Sequence, residues 1–159
     1  MTDPTPAPMP HGEADHVADI VRRNFAAEHG ELVVGGIPVS RLASQFGTPL
    51  YIYDADVLAG QVAALQKALP PRFELFYSVK ANPNPAILEF LVAQRCGLEV
   101  ASSGELTQAL AAGCAAERIL FAGPGKTLDE LTLAIDRGIG EIHLESRTEA
   151  RRIASIARS

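Results

Sequence analysis

From Phe73 to the end of the chain one pattern repeats, and it restricts the possible folds to a few. Apolar runs that read as strands begin near Phe73, Gly97, Arg118 and Ile139, roughly 21 to 24 residues apart. A stripe of helical period follows each of the first three: Ile87/Phe90/Leu91, Leu106/Ala109/Leu110 and Leu128/Leu131/Ile135. Three helix starts carry a Ser/Thr-x-x-Glu box, at Ser102/Glu105, Thr127/Glu130 and Ser146/Glu149. Gly97, Gly113 and Gly138 are expected to close the helices before them. Strand–helix units joined by short loops demand a parallel sheet with right-handed crossovers. About four such units fit a doubly wound sheet or half of a (β/α)8 barrel.

The first unit is the most informative. Phe73-Glu74-Leu75-Phe76-Tyr77-Ser78-Val79-Lys80 is an apolar run that ends on a lysine. Ala81-Asn82-Pro83-Asn84-Pro85 follows, and its prolines stop the strand and start a helix. Desolvating an ammonium is costly, so a lysine at a buried strand end needs a compensating partner. In α/β barrels the chemistry sits at the carboxyl ends of the strands.

Side-chain alternation then sorts the strand residues. Phe76, Ser78 and Lys80 share one face of the first strand, and Leu75, Tyr77 and Val79 the other. On the next strand Leu98 and Val100 oppose Glu99 and Ala101; on the fourth, Ile142 and Leu144 oppose Glu141, His143 and Glu145. A parallel sheet covered on both sides would be apolar on both faces. Helices are therefore expected on the apolar face, with Ser78, Lys80, Glu99 and His143 converging on a shared interior.

The chain before Phe73 is less regular. Residues 1–12 hold four prolines and read as a disordered arm. Val17, Ile20, Val21 and Phe25 suggest a helix over residues 13–28, and Gly30–Ile37 reads as a hairpin with a Gly35-Gly36 turn. Leu42 and Phe46 belong to a short helix ended by Gly47; Leu50–Tyr53 reads as a brief strand, and Asp54 as the cap of a helix with a Leu58/Val62/Leu65/Leu69 stripe. The expected division is an arm over 1–12, a helix and hairpin segment over 13–46, and the barrel portion over 47–159.

Composition limits the partners. A net charge of −5 argues against nucleic acid, and no apolar run approaches the ~20 residues of a membrane span. The first ten residues lack the basic and apolar regions of a secretory signal. Cys96 and Cys114 have neither metal-site spacing nor a disulfide framework, which points to a reducing cytosol and to two small buried hydrophobes.

Each candidate has an ordinary reading beside the functional one. Lys80 is either a snorkelling strand-end lysine or an amine that attacks a carbonyl. Glu99 is either a solvated edge residue or a partner for Lys80, or else an acid beside a bound cofactor. His143 is either a satisfied interior histidine or part of that site; no metal-site spacing accompanies it. Ala122-Gly123-Pro124-Gly125-Lys126-Thr127 has the look of a phosphate loop, but the required upstream glycine is Leu120, and Pro124 removes a backbone donor. It reads as a tight turn feeding a capped helix.

Three segments together, Tyr77–Asn84, Gly97–Leu106 and Arg118–Thr127, resemble the fold-type III pyridoxal-phosphate (PLP) decarboxylases acting on diaminopimelate, ornithine or arginine. Gly47–Asp54 is similar to the segment that leads into their alanine-racemase-like barrel, and the resemblance runs from about Gly30 onward. It is strongest for the diaminopimelate type. The resemblance implies a partial barrel, PLP as cofactor, and decarboxylation of an amino acid in a cytoplasmic homodimer. A racemase of the same fold is the alternative. It further implies that Lys80 holds PLP and that Glu99 stands near its ring, where the family usually has aspartate. The family's phosphate loop, ring-nitrogen carboxylate and stacking histidine belong to later segments. The chain is therefore expected to be inactive alone, or to act as a half-barrel that needs a complementing chain.

Overall fold

The computed structural model describes residues 16–158. The expected arm over 1–12 and the first residues of the first helix lie outside them. The chain divides into two compact units between Leu58 and Ala59.

In the first unit, α1 (His16–Asn24) is followed by β1 (Ala26–Glu28), β2 (Glu31–Val34), β3 (Ile37–Pro38) and α2 (Val39–Phe46). The strands form an antiparallel sheet in that order. Both hairpins turn on two residues of positive φ: His29 and Gly30 at 53° and 79°, Gly35 and Gly36 at 56° and 75°. This turn has the twist that antiparallel strands need. The expected helix over 13–28 is thus cut short, and residues 26–28 pair with β2 instead. The predicted Gly35-Gly36 hairpin is present. Pro38 gives α2 no side-chain cap, so Glu31 supplies one from β2, accepting from Ser40 N at 2.7 Å. The hydrogen bonds from Ser40 hold the Glu31 carboxyl below its ordinary pKa. Residues 50–53 are not a strand: they pair with nothing among the described residues, and Tyr51 is 87% exposed. Asp54 does cap α3 (Ala55–Ala68), accepting from Asp56 N and Val57 N.

The second unit carries β4 (Phe76–Ser78), α4 (Pro85–Ala93), β5 (Gly97–Val100), α5 (Ser103–Ala111), β6 (Ile119–Phe121), α6 (Leu128–Asp136), β7 (Glu141–Ile142) and α7 (Arg147–Ile156). Its sheet is parallel, in the order β4-β5-β6-β7. Leu98, Val100, Ile119 and Phe121 are buried with Leu88, Leu106, Ala109 and Ala134 of the helices, and Tyr77 and Ile142 pack against them. The apolar parity face is therefore the helix-covered one. Burying each of these large side chains contributes about 1.5–3 kcal/mol. The opposite face carries Phe76, Ser78, Glu99, Leu120 and Glu141, none of them fully buried.

Local signals account for the helix ends. Asn84 caps α4 with Pro85 in its first turn, and Thr127 and Glu130 close a reciprocal capping box on α6. Ser102 and Ser146 also cap, but their glutamates reach one residue further back, to Ala101 N and Glu145 N. Gly113 and Gly138 end α5 and α6 with positive φ, as expected. The corresponding position after α4 is Arg95, at φ 62°, not Gly97. Gly97 serves close packing instead: a Cβ there would lie 2.4 Å from the Phe76 ring and 2.8 Å from the Arg118 carbonyl oxygen.

Candidate functional site

The site is built at the carboxyl end of the parallel sheet, on the face the helices leave open. The ladder aligns Ser78, Glu99, Leu120 and Glu141 across the four strands. Pairing continues past β6 and β7, since Ala122 N donates to Val100 O and His143 N to Phe121 O, both at 2.9 Å. Two residues beyond the aligned row stand Lys80, Ala101, Ala122 and His143. The two middle positions are alanines. No bulky side chain of that row stands between Lys80 and His143, whose strands lie three spacings apart, about 14 Å.

Lys80 does not lie on the strand itself. Val79–Ala81 form a single 3₁₀ turn after β4, and the Lys80 side chain is 67% exposed. The expected buried amine is therefore an accessible one, because four strands leave this face uncovered. Its Nζ lies 4.0 Å from Glu99 Oε1, whose side chain is 29% exposed. An ion pair this exposed contributes less than about 1 kcal/mol, so it orients Lys80 without immobilising it. Ser78, aligned with Glu99, has a buried hydroxyl with no hydrogen-bond partner. An unpaired buried hydroxyl costs about 1–3 kcal/mol.

His143 is held differently. Its Nε2 lies 2.9 Å from Glu141 Oε1, two residues back on the same face. The structure thus brings Lys80 to Glu99 and places Ser78 beside them in the ladder. It leaves His143 across the gap with a carboxylate of its own. Alternation in the sequence carried the Glu141–His143 pairing, since side chains at i and i+2 of a strand lie side by side.

Two residues of this region escaped the sequence reading. Lys126 and Glu149 are both 2% exposed, with Nζ 3.7 Å from Oε2. Lys126 Nζ donates to Gly123 O at 2.6 Å and to His143 O at 2.7 Å, and lies over the Phe121 ring. Glu149 accepts from Glu145 N through Oε2 and from Gly125 N and Lys126 N through Oε1. The Glu145 amide, then the Lys126 ammonium and the two loop amides, hold the Glu149 carboxyl below its ordinary pKa despite burial. The Gly123–Thr127 turn is thus occupied by the protein's own charges, in line with its reading as a structural turn. In the same way Glu130 Oε1 accepts from Ser103 N at 3.1 Å, tying α6 to the start of α5.

Cys96 and Cys114 are free and buried, and burial pushes both thiols up. Among the described residues no cluster of His, Cys, Asp and Glu could hold a metal ion, and no helix is long and apolar enough to cross a membrane.

Comparison with known proteins agrees with this arrangement. The family described as pyridoxal-dependent decarboxylase, pyridoxal binding domain, matches residues 56–159. A diaminopimelate decarboxylase of Zymomonas mobilis is 37% identical over 139 residues, which is 85% of this chain and 33% of that protein. A crystal structure of AQ1208 from Aquifex aeolicus superposes with a TM-score of 0.84 at 37% identity, covering 89% of this chain and 35% of that one. A diaminopimelate decarboxylase from M. jannaschii, in complex with L-lysine, gives 0.75 at 27% identity, covering 85% and 33%. The chain spans about a third of the length of the curated relatives it matches. The fold is that of the first part of their barrels, and this chain belongs to the pyridoxal-dependent decarboxylases.

Proposed function

We propose that the chain forms the cofactor-attachment part of a PLP-dependent amino-acid decarboxylase acting on a diaminopimelate-like substrate, with Lys80 as the attachment point. The observation that carries this reading is the placement of Lys80. It stands at the carboxyl end of the first parallel strand, on the open face, against Glu99 and beside two alanines. The residues fit the cofactor. Only alanines stand between Lys80 and His143 in that row, the amine is accessible, and Ser78, aligned with Glu99, has a hydroxyl without a hydrogen-bond partner.

Bound PLP supplies an electron sink for the electron pair left behind when an α-carboxylate departs as carbon dioxide. The chain's own residues prepare that chemistry. Lys80 must give up a proton before its nitrogen can attack a carbonyl, and Glu99 is the carboxylate that stands against its ammonium. The weakness of that ion pair lets Lys80 leave Glu99 at little cost. Glu99, Ser78 and His143 would line the cofactor, with the Glu141 carboxylate orienting the His143 ring. Cytoplasmic residence and a homodimeric assembly complete the proposal, and the substrate class rests on the diaminopimelate decarboxylases among the relatives.

The test is direct. Adding PLP to the purified chain should give a visible absorbance band, and hydride reduction followed by peptide mapping should find the cofactor on Lys80. Lys80→Ala should abolish both. A band of undiminished strength in Lys80→Ala, or label confined to other lysines, refutes the assignment.

A further inference from the structure

We infer that Lys126 is a positioning residue for the cofactor site, acting through His143. The inference rests on the reading of Lys80 as the attachment point, and it concerns the opposite wall of the same gap. His143 lies one residue past β7, where a chain would ordinarily leave the sheet. Two hydrogen bonds keep it in line. Its amide donates to Phe121 O at 2.9 Å, and its carbonyl accepts from Lys126 Nζ at 2.7 Å. With both backbone groups held, the side chain keeps the parity of Glu141 and faces the gap that Lys80 borders.

The surroundings of the ammonium suit it to a role inside the protein. Lys126 is 2% exposed, so its charge cannot meet a ligand in solution. It is satisfied by Gly123 O, His143 O and the Glu149 carboxylate, and lies over the Phe121 ring. A buried charge this fully engaged joins three successive parts of the rim: the turn after β6, the end of β7 and the start of α7. Breaking such a pair from one side leaves the other charge stranded, so the rim is held in one arrangement. Arg152 adds a further tie, donating from Nη1 to Lys126 O at 2.9 Å.

Two measurements test the inference. In the wild-type chain, a through-hydrogen-bond NMR coupling between Lys126 Nζ and the His143 carbonyl carbon is expected; its absence overturns the proposal, whatever the variants do. The second is a cycle in PLP affinity, read from the visible band. His143→Ala and Lys126→Met should each weaken binding by about tenfold, the equivalent of one hydrogen bond of about 1.4 kcal/mol. The double variant should bind no worse than either single one, because both remove the same wall. Lys126→Arg, which keeps the charge and the donors, should recover most of the loss. Wild-type affinity in Lys126→Met, or losses that multiply in the double variant, overturns the proposal. A wild-type chain that gives no band at all defeats the Lys80 reading instead, and the coupling then decides alone whether Lys126 fixes His143.

Discussion

Glu149→Gln is the most informative single change to the fold. The carboxylate is 2% exposed, stands 3.7 Å from Lys126 Nζ, and accepts from three backbone amides, of Glu145, Gly125 and Lys126. Glutamine preserves the volume but removes the charge. It also turns an NH2 toward amides that are themselves donors, and it leaves the Lys126 ammonium buried without its counter-charge. Breaking a buried pair from one side costs about 3–5 kcal/mol, a large share of the 5–15 kcal/mol typical of a whole domain. The pH dependence follows from the lowered pKa of Glu149, caused first by the Glu145 amide and then by Lys126 and the loop amides against the opposing effect of burial. A depressed folded-state pKa contributes stability that is full above the unfolded value, about 4.3, and is lost as pH falls through the folded one. Urea unfolding at pH 7 should therefore show the full deficit in the variant. Repeating it below about pH 4.3 should show the deficit shrinking, as the unfolded wild type takes up a proton before the folded one does. A deficit under 1 kcal/mol at pH 7, or one that stays constant down to pH 3, would refute the buried-pair account.

Three further substitutions test the packing. Gly140→Ala would place a Cβ 2.1 Å from the Glu117 carbonyl oxygen, a backbone atom, and should cost about 3 kcal/mol in urea unfolding, the upper end of the usual range for overpacking. Gly97→Ala meets the Phe76 ring at 2.4 Å and Arg118 O at 2.8 Å; a loss of about 1–3 kcal/mol is expected, and Phe76→Ala should relieve only the ring's share. Arg95→Gly should raise stability by about 1 kcal/mol, because Arg95 ends its helix with a side chain at φ 62°, where Gly113 and Gly138 end theirs freely. A variant less stable than wild type would show that the Arg95 side chain matters more than its backbone strain.

Much of this architecture is written in short-range chemistry. The alternation of strand residues, the helix stripes, Asn84-Pro85, the Thr127–Glu130 box and the glycines at 113 and 138 each act within a few residues, so the sequence alone sets the four strand–helix units and the face that the helices cover. The place of Glu99 on the open face followed from the same alternation, whereas Lys80 reaches Glu99 from the 3₁₀ turn after β4. Other features depended on which strands lie side by side. Gly97 is a glycine because Phe76 and Arg118 approach it from neighbouring chain segments, not because a helix ends there. Residues 50–53 had the composition of a strand but found no partner, and residues 26–28 became one because β2 offered an edge. Lys126 and Glu149 are 23 residues apart, and each alone reads as an ordinary helix-start residue. Only the parallel register brings the end of β7 beside the turn after β6, and only there do two charges become cheaper to bury together than apart.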